Sequence, residues 1–328
     1  MRDYVIGFDG GGTRLKSGAV SAGGRIRVPG LQPTGFHMTP PKMMKALTDE
    51  VDRISAKMGA KPKAIGIGFA GFVDPQEGVV FLPGKIKGLE GFPIVERLRK
   101  AAGVPVVADN DGRLSIYAEA SYGLARNLKW AVTITIGTGV GSGVMLDGRI
   151  LRDPHLGFGT QMSHIVIEGS SGRLCITGAR GTAEMTCSAT ALAMNMRDAL
   201  QRGIPSVLSD AYFRDPASVD FAAVIRAVEK GDRLAKDELK HWTESLGWLL
   251  VSAVHVYAPE VIILSGGASN GAKHFLEPLC EQVNSHLFRY PPGEPVPIVL
   301  SNIRNHQGVL GAAALAWELV EPNGTNAD

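Results

Sequence analysis

Several things are scarce or missing in this chain, and each absence excludes something. The three cysteines, Cys175, Cys187 and Cys280, are an odd number among 328 residues and make no disulfide framework, so a reducing compartment is expected. An excess of charge of one sign is also missing. Lys plus Arg number 34 against 32 for Asp plus Glu, a formal net charge of +2, and the charges are interspersed. That removes nucleic acid and anionic membrane as default partners. The longest apolar stretch, Leu246 to Leu264, is broken by His255, Pro259 and Glu260 and falls short of the roughly 18 uncharged residues of a spanning helix. At the start, Asp3 and Tyr4 lead straight into Val5 and Ile6, with no apolar leader followed by a small-residue cleavage site. A soluble, cytoplasmic protein is expected. Neither G-x-G-x-x-G nor a glycine-rich loop ending in Gly-Lys-Ser/Thr occurs, which removes support from a dinucleotide oxidoreductase and a Walker-type NTPase.

What is present is an ordinary globular composition, 45% hydrophobic and 20% charged, with 41 glycines and 19 prolines. At roughly 150 residues per domain, two domains are expected, each large enough to bury its own core. Residues 4–9 predict a strand, followed by Gly10-Gly11-Gly12-Thr13 and a second strand from Leu15 to Val20. Met43, Leu47, Val51 and Ile54 repeat at helical spacing within residues 39–58. Apolar runs at 64–69 and 104–108 then complete an α/β alternation. The same order begins again at Trp130, with a strand to Ile136, the turn Gly137-Thr138-Gly139-Val140-Gly141, a strand to Leu146, and Asp147-Gly148 suited to a type I′ hairpin. This is a weak internal duplication. Residues 189–247 predict helices with a polar loop near 206–218. Strands are predicted at 260–264 and 296–300, and a last apolar helix at 308–319.

Three glycine-rich turns sit at predicted strand ends: Asp9-Gly10-Gly11-Gly12-Thr13, Gly137-Thr138-Gly139 and Ser265-Gly266-Gly267-Ala268. Glycine lets backbone N–H groups approach a phosphate, and a threonine hydroxyl adds a donor. Any one of these could instead be a tight hairpin. A second feature is the strand 106–108 running into Asp109-Asn110-Asp111-Gly112. A carboxylate just beyond a strand's carboxyl end is well placed to take a proton from a substrate hydroxyl, and Asn110 can donate and accept to neighbouring hydroxyls. The competing explanation is a turn that caps a helix from Arg113, with Asp109 or Asp111 as the N-cap.

In this order and spacing the motifs resemble the ROK (repressor, open reading frame, kinase) family of the actin-like sugar kinase superfamily, over nearly the whole chain. Asp9 to Thr13 looks like that family's first phosphate motif, Gly137-Thr138-Gly139-Val140-Gly141 like its second, and Gly266-Gly267 with Pro259 upstream like its adenosine motif. The resemblance implies an α/β fold of two actin-like (ribonuclease H-like) domains flanking a central cleft. Residues 1–112 joined by the helix at 306–320 would form one, and 113–305 the larger other. It further implies transfer of the ATP γ-phosphate to a hexose hydroxyl, that of the sixth carbon of glucose or a relative, with Asp111 as catalytic base. Gly71, Asn110, Asp111, Gln161, His164 and Glu184 would bind sugar. Asp9, Gly11, Gly12, Thr13, Gly137, Thr138, Gly139, Gly266 and Gly267 would bind ATP, with Asp9 positioning hydrated Mg²⁺. A homodimer is implied by the resemblance alone.

The chain also departs from the family. The Gly-Glu-x-Gly-His segment stands here as Thr160-Gln161-Met162-Ser163-His164, so a sugar-binding glutamate is replaced by Gln161. In the zinc motif, Cys175 is kept, but Thr177 and Thr182 occupy two thiolate positions, while Gly178, Gly181 and Glu184 survive. A hydroxyl is a poor substitute for a thiolate, so no structural zinc is expected and hydrogen bonds should hold the loop. Gln161 keeps the size of the glutamate, loses its charge and gains an N–H donor. A regulator would need an N-terminal helix-turn-helix, and the first phosphate motif starts by residue 9. The motifs are also compatible with a catalytically silent sugar-binding protein and with a kinase that uses polyphosphate. For His37, His155, His255 and His306 the sequence suggests no partner.

Overall fold

The computed structural model describes residues 3–11, 14–33, 39–71, 73–74, 78–80, 88–152, 161–170, 172–289, 293–303 and 306–320. In chain order the first half contains β1 (Val5–Gly10), β2 (Arg14–Val20), β3 (Ile26–Pro33), α1 (Pro40–Met58), β4 (Ile65–Phe69), β5 (Val73–Asp74), β6 (Val79–Val80), α2 (Ile94–Ala102), β7 (Val106–Asn110) and α3 (Asp111–Tyr122). There follow β8 (Ala131–Ile136), β9 (Val140–Leu146), β10 (Arg149–Ile150), α4 (Ala183–Cys187), α5 (Ala189–Gln201), α6 (Ser209–Arg214), α7 (Phe221–Glu229) and α8 (Arg233–Tyr257). The chain closes with β11 (Val261–Ser265), α9 (Leu276–Ser285), β12 (Ile298–Leu300) and α10 (Gln307–Val320). Among the described residues no helix is long and apolar enough to cross a membrane.

The chain divides into two compact units. One comprises Met1–Leu128, Arg149–Thr160 and Asn302–Asp328, the other Lys129–Gly148 and Gln161–Ser301. The division differs from the sequence-based boundary after residue 112. That boundary falls at the first turn of α3, and α3 packs against α10 within the first unit.

The first unit is built on a sheet of order β3-β2-β1-β4-β7, in which β1 pairs antiparallel with β2 and parallel with β4, and β4 parallel with β7. Side-chain alternation along β1 explains its two buried faces. Tyr4, Ile6 and Phe8 join Met43, Leu47 and Ile54 of α1 and Ile94 and Leu98 of α2 in one core. Val5 instead packs with Val309, Ala313 and Ala316 of α10. The α10 backbone lies almost on the strands. A Cβ built on Gly66 would stand 1.8 Å from the Ala312 carbonyl oxygen, and one on Gly7 would stand 2.1 Å from that of Val309. Glycine is required there by space rather than by conformation.

The second sheet has the order β10-β9-β8-β11-β12. Its β8 pairs antiparallel with β9 and parallel with β11, which pairs parallel with β12. This repeats the order of the first sheet, so the duplication seen in sequence is a duplication of topology. The Asp147-Gly148 turn between β9 and β10 has φ of 50° and 73°, the two positive values that a type I′ hairpin demands. Trp242 of α8 anchors the helical layer, edge-on to Phe221 and Phe275, with its indole N–H donating to the Ser188 carbonyl at 2.9 Å.

Two local expectations change. The polar stretch 206–218 contains α6 and a 3₁₀ turn at Pro216–Ser218, built from local bonds such as Ala217 N–H to the Asp215 side chain, with no buried residue in either. The last strand is Ile298–Leu300 rather than 296–300. Pro297 has no N–H to donate, and the N–H of Val296 goes to the Asn284 side chain at 2.9 Å.

Candidate functional site

Ligands of open α/β sheets bind beyond the carboxyl ends of parallel strands, where strand order reverses. In the first unit that edge is formed by β1, β4 and β7. The register sets Asp9, Gly68 and Asp109 side by side, and Gly10, Phe69 and Asn110 in the next row. Asp9 is half-buried, and its Oδ2 lies 3.6 Å from Lys16 Nζ. Burial pushes its carboxyl above the usual carboxylate range, against the opposing pull of Lys16. Gly308, in the first turn of α10, rests on this side chain: a Cβ there would be 2.4 Å from Asp9 Cγ. Gly11 is described and half-buried, while Gly12 and Thr13 lie outside the described residues.

The capping role that the sequence leaves open between Asp109 and Asp111 goes to neither. Asn110, the last residue of β7, is the N-cap of α3, its Oδ1 accepting from the N–H groups of Gly112 at 2.9 Å and Arg113 at 3.3 Å. Its Nδ2 donates to the carbonyl of Gly71 at 2.7 Å. Gly71 has φ 116°, a backbone that side chains rarely adopt, and this bond draws it onto the end of β7. The two flanking carboxylates then separate by environment. Asp109 is 0% exposed and clasped by Arg113 and Arg152. Asp111 is exposed at the first position of α3, where its Oδ1 also accepts the Gly112 N–H at 2.8 Å. Of the pair, Asp111 is the exposed carboxylate.

In the second unit the corresponding edge carries Gly137-Thr138-Gly139 after β8 and Gly266-Gly267 after β11. The Gly137 N–H donates to the Gly139 carbonyl at 2.9 Å, closing the β8–β9 turn, and Thr138 is exposed at its tip. Glu184 of α4 lies against this turn, since a Cβ on Gly139 would be 2.4 Å from Glu184 Oε2. The structure therefore brings a residue expected at the sugar to the second phosphate turn. Gly266 has φ 87° and sits where a Cβ would be 2.4 Å from the Ile136 carbonyl oxygen, so strand β8 and the Gly266-Gly267 turn touch backbone to backbone. Gly267 is exposed. A cavity of about 330 Å³ lined by Val228, Leu239, Thr243, Pro278 and Gln282 contains none of these residues.

Gln161 precedes a 3₁₀ turn, Met162–His164, which brings His164 Nδ1 within 3.6 Å of Cys175 Sγ. Burial raises the Cys175 thiol, but the N–H of Thr177 and the side chains of Thr182, Thr177 and His164 outweigh it and bring the thiol from 9.0 to about 7. His164, Cys175, Thr177 and Thr182 thus lie together. One imidazole, one thiol and two hydroxyls do not fit a closed zinc tetrahedron. Backbone bonds hold the loop: Ile167 N–H and Glu168 N–H both donate to the Gly181 carbonyl, at 2.7 and 3.0 Å, and Cys175 N–H to Ala179 at 2.7 Å. Arg173 adds ion-pair and amide contacts to Asp198 and Asn195 of α5. Cys187, fully buried beside Thr186, has its thiol pushed up to about 12 by burial. Of the histidines without an assigned partner, His255 accepts the Phe288 N–H at 3.0 Å, and His37 and His155 lie outside the described residues.

Sequence alone gave no role to Lys16, Arg113, Arg152 or Gly308. Only Arg113 carried a local signal, four residues beyond a carboxylate at a strand-to-helix junction.

The ROK family profile matches residues 5–318. Among known proteins, the chain is 28% identical over 318 residues to a glucokinase of Thermotoga maritima, covering 96% of this chain and 98% of the relative. A ROK hexokinase from Thermus thermophilus superposes with TM-score 0.81 at 26% identity, covering 98% of this chain and 100% of the other. A ROK family glucokinase from Streptomyces griseus, solved with glucose and AMPPNP, shares the fold with TM-score 0.81 at 24% identity over 96% of this chain and 99% of the other. With this match and two sheets of one repeated strand order, the chain belongs to the ROK family.

Proposed function

We propose that the protein is a cytoplasmic, ATP-dependent hexose kinase, transferring the γ-phosphoryl group to a sugar hydroxyl, that of the sixth carbon of glucose or a related hexose. The observation that carries this reading is the exposed carboxylate of Asp111, standing just beyond a parallel strand on the sheet edge that also bears Asp9. The glucose and AMPPNP bound by the Streptomyces griseus relative support the same two ligands here.

In this reading Asp111 takes the proton of the attacking hydroxyl as its oxygen bonds to the γ-phosphorus. The bond from that phosphorus to the β–γ bridging oxygen breaks, and ADP leaves. Asn110 and Gly71 line the sugar beside the base, and Gln161, His164 and Glu184 are further sugar-binding candidates. Gln161, neutral and able to donate, shifts the choice of sugar rather than the chemistry. The amides of Thr138 and Gly139 and the Thr138 hydroxyl serve the phosphates, since the Gly137 N–H is already used within its turn. The Gly266-Gly267 turn takes the adenosine. Asp9 fits Mg²⁺, which keeps several waters and needs few carboxylates, and Mg²⁺ when bound supplies charge neutralisation on the triphosphate.

A homodimer belongs to the same reading. Trp248 and Val256 of α8 and Phe288 after α9 are 44%, 68% and 89% exposed, and the Phe288 N–H bond to His255 and the Trp248–His286 ring contact gather them on one face.

Coupled ADP release with Mg-ATP across hexoses and N-acetylhexosamines tests the reading, with Asp111→Asn run beside the unmodified protein. Sugar-dependent release that disappears in Asp111→Asn is expected. Sugar binding without turnover on ATP or polyphosphate would instead identify a silent sugar sensor.

A further inference from the structure

Asp109 is fully buried, and its two oxygens are held by different parts of the chain. Oδ1 accepts from the Asn110 N–H at 2.7 Å and from Arg113 Nε and Nη2 at 2.7 and 2.6 Å, all within the strand-to-helix turn. Oδ2 accepts from Arg152 Nη2 at 3.0 Å, across 43 residues of sequence. A carboxylate has one soft torsion, about the bond that carries it. Donors on opposite oxygens lock that torsion; with Oδ2 released, the carboxylate can turn and carry the Asn110 peptide with it. Asn110 is the cap of α3 and the brace to Gly71, and Asp111 is the next residue.

We propose that Arg152 is a positioning residue for Asp111, acting through Asp109 to fix the strand end and helix turn that present the base. The inference rests on the reading of Asp111 as the base. Arg152 is itself fixed by a cation–π contact, its guanidinium 5.3 Å from the Tyr117 ring on α3, one helical face above the same turn. Glu318 of α10 lies close enough to act electrostatically on both Arg152 and Asp109. Stability alone is a poor explanation for this cluster. Buried ion pairs contribute little net stability, because desolvation offsets the attraction, and here Arg152 Nε is buried with no hydrogen-bond partner among the described residues. What two arginines on one buried carboxylate do supply is a single orientation of it.

The test uses the full chain with Arg152→Met, which keeps an unbranched side chain over Tyr117, Arg152→Lys and Arg152→Ala. Each is measured for kcat, sugar KM, calorimetric sugar affinity and melting temperature. The expected result for Arg152→Met is a kcat about 100-fold lower, the size of effect that a misplacement of about 1 Å produces, with sugar affinity nearly unchanged and a melting temperature lowered by the loss of one of the two arginines on the buried Asp109. Arg152→Lys should recover part of kcat, and methylguanidinium at millimolar concentration should recover part of it in Arg152→Ala. Unchanged kcat in Arg152→Met, or loss of kcat only in step with sugar affinity and without rescue, overturns the proposal. Absence of hexose-dependent turnover in the unmodified protein, or full turnover in Asp111→Asn, overturns instead the reading on which it rests.

Discussion

Replacing Gly308 by alanine should separate activity from stability. A Cβ at this position would stand 2.4 Å from Asp9 Cγ, 2.6 Å from Oδ2 and 2.8 Å from Asp9 Cβ, where ordinary contact begins at 3.4 Å. Turning the Asp9 carboxylate away does not relieve the clash, because the Asp9 Cβ is fixed by β1 and is itself too close. Strand and helix must part by about 1 Å at this end, or the carboxylate must leave its place; either way Asp9 is misplaced by an amount that costs about 100-fold in a preorganised site. The helix itself accepts the change. Gly308 is the second residue of α10, and alanine is favoured over glycine inside a helix by about 1 kcal/mol, which offsets the local strain. The expected variant therefore melts within a few degrees of the unmodified protein while its kcat with Mg-ATP and hexose falls about 100-fold and its Mg²⁺ requirement rises. Steady-state kinetics over a magnesium series, beside differential scanning calorimetry, reads both quantities. Unmodified kcat at the same magnesium would refute the placement of Asp9 in the reaction, and a collapse of melting temperature would refute the claim that the helical gain of alanine offsets the local strain.

Other positions in the first unit should respond differently. Gly66→Ala meets the Ala312 backbone oxygen at 1.8 Å, with no side chain to give way, so it should destabilise the first unit by about 3 kcal/mol or more and lower soluble yield, in contrast to Gly308→Ala. Asn110→Ala removes the cap of α3 and the bond to Gly71, and should cost about 1 kcal/mol in urea unfolding while raising sugar KM. Glu50, buried on α1, is disfavoured as an anion by burial, yet bonds from Arg53, Ser17 and Gln32 outweigh this and hold its carboxyl below the usual range. Its contribution is therefore present above about pH 4.3 and is lost as pH falls through the lower folded value. Glu50→Gln should cost about 3 kcal/mol at neutral pH, and the gap to the unmodified protein should close in acid; a gap independent of pH would show that the charge is not what Glu50 contributes.

The parts of this protein that its sequence reveals are those constrained by near neighbours. The alternation along β1, the helical spacing of Met43, Leu47, Val51 and Ile54, and the Asp147-Gly148 turn each express a local rule, and the repeat of strand, glycine turn and strand carries over into two sheets of one order. At the candidate site the same limit applies residue by residue. Asp109, Asn110 and Asp111 can all cap a helix by their chemistry, so nothing local assigns the cap, the buried anion and the exposed carboxylate among them. The assignment is made by contacts from elsewhere: Gly71 takes the Asn110 amide and Arg152 takes the second oxygen of Asp109, while Asp111 is the exposed one of the three. Gly308 is invisible for the same reason, since a glycine at the start of a helix looks neutral until Asp9 is found against it. Substitutions chosen from the motif alone would test whether the glycine turns and Asp111 are needed. Those chosen from Arg152 and Gly308 test whether their geometry is, and only the second kind distinguishes a built catalytic edge from a set of residues that merely match a pattern.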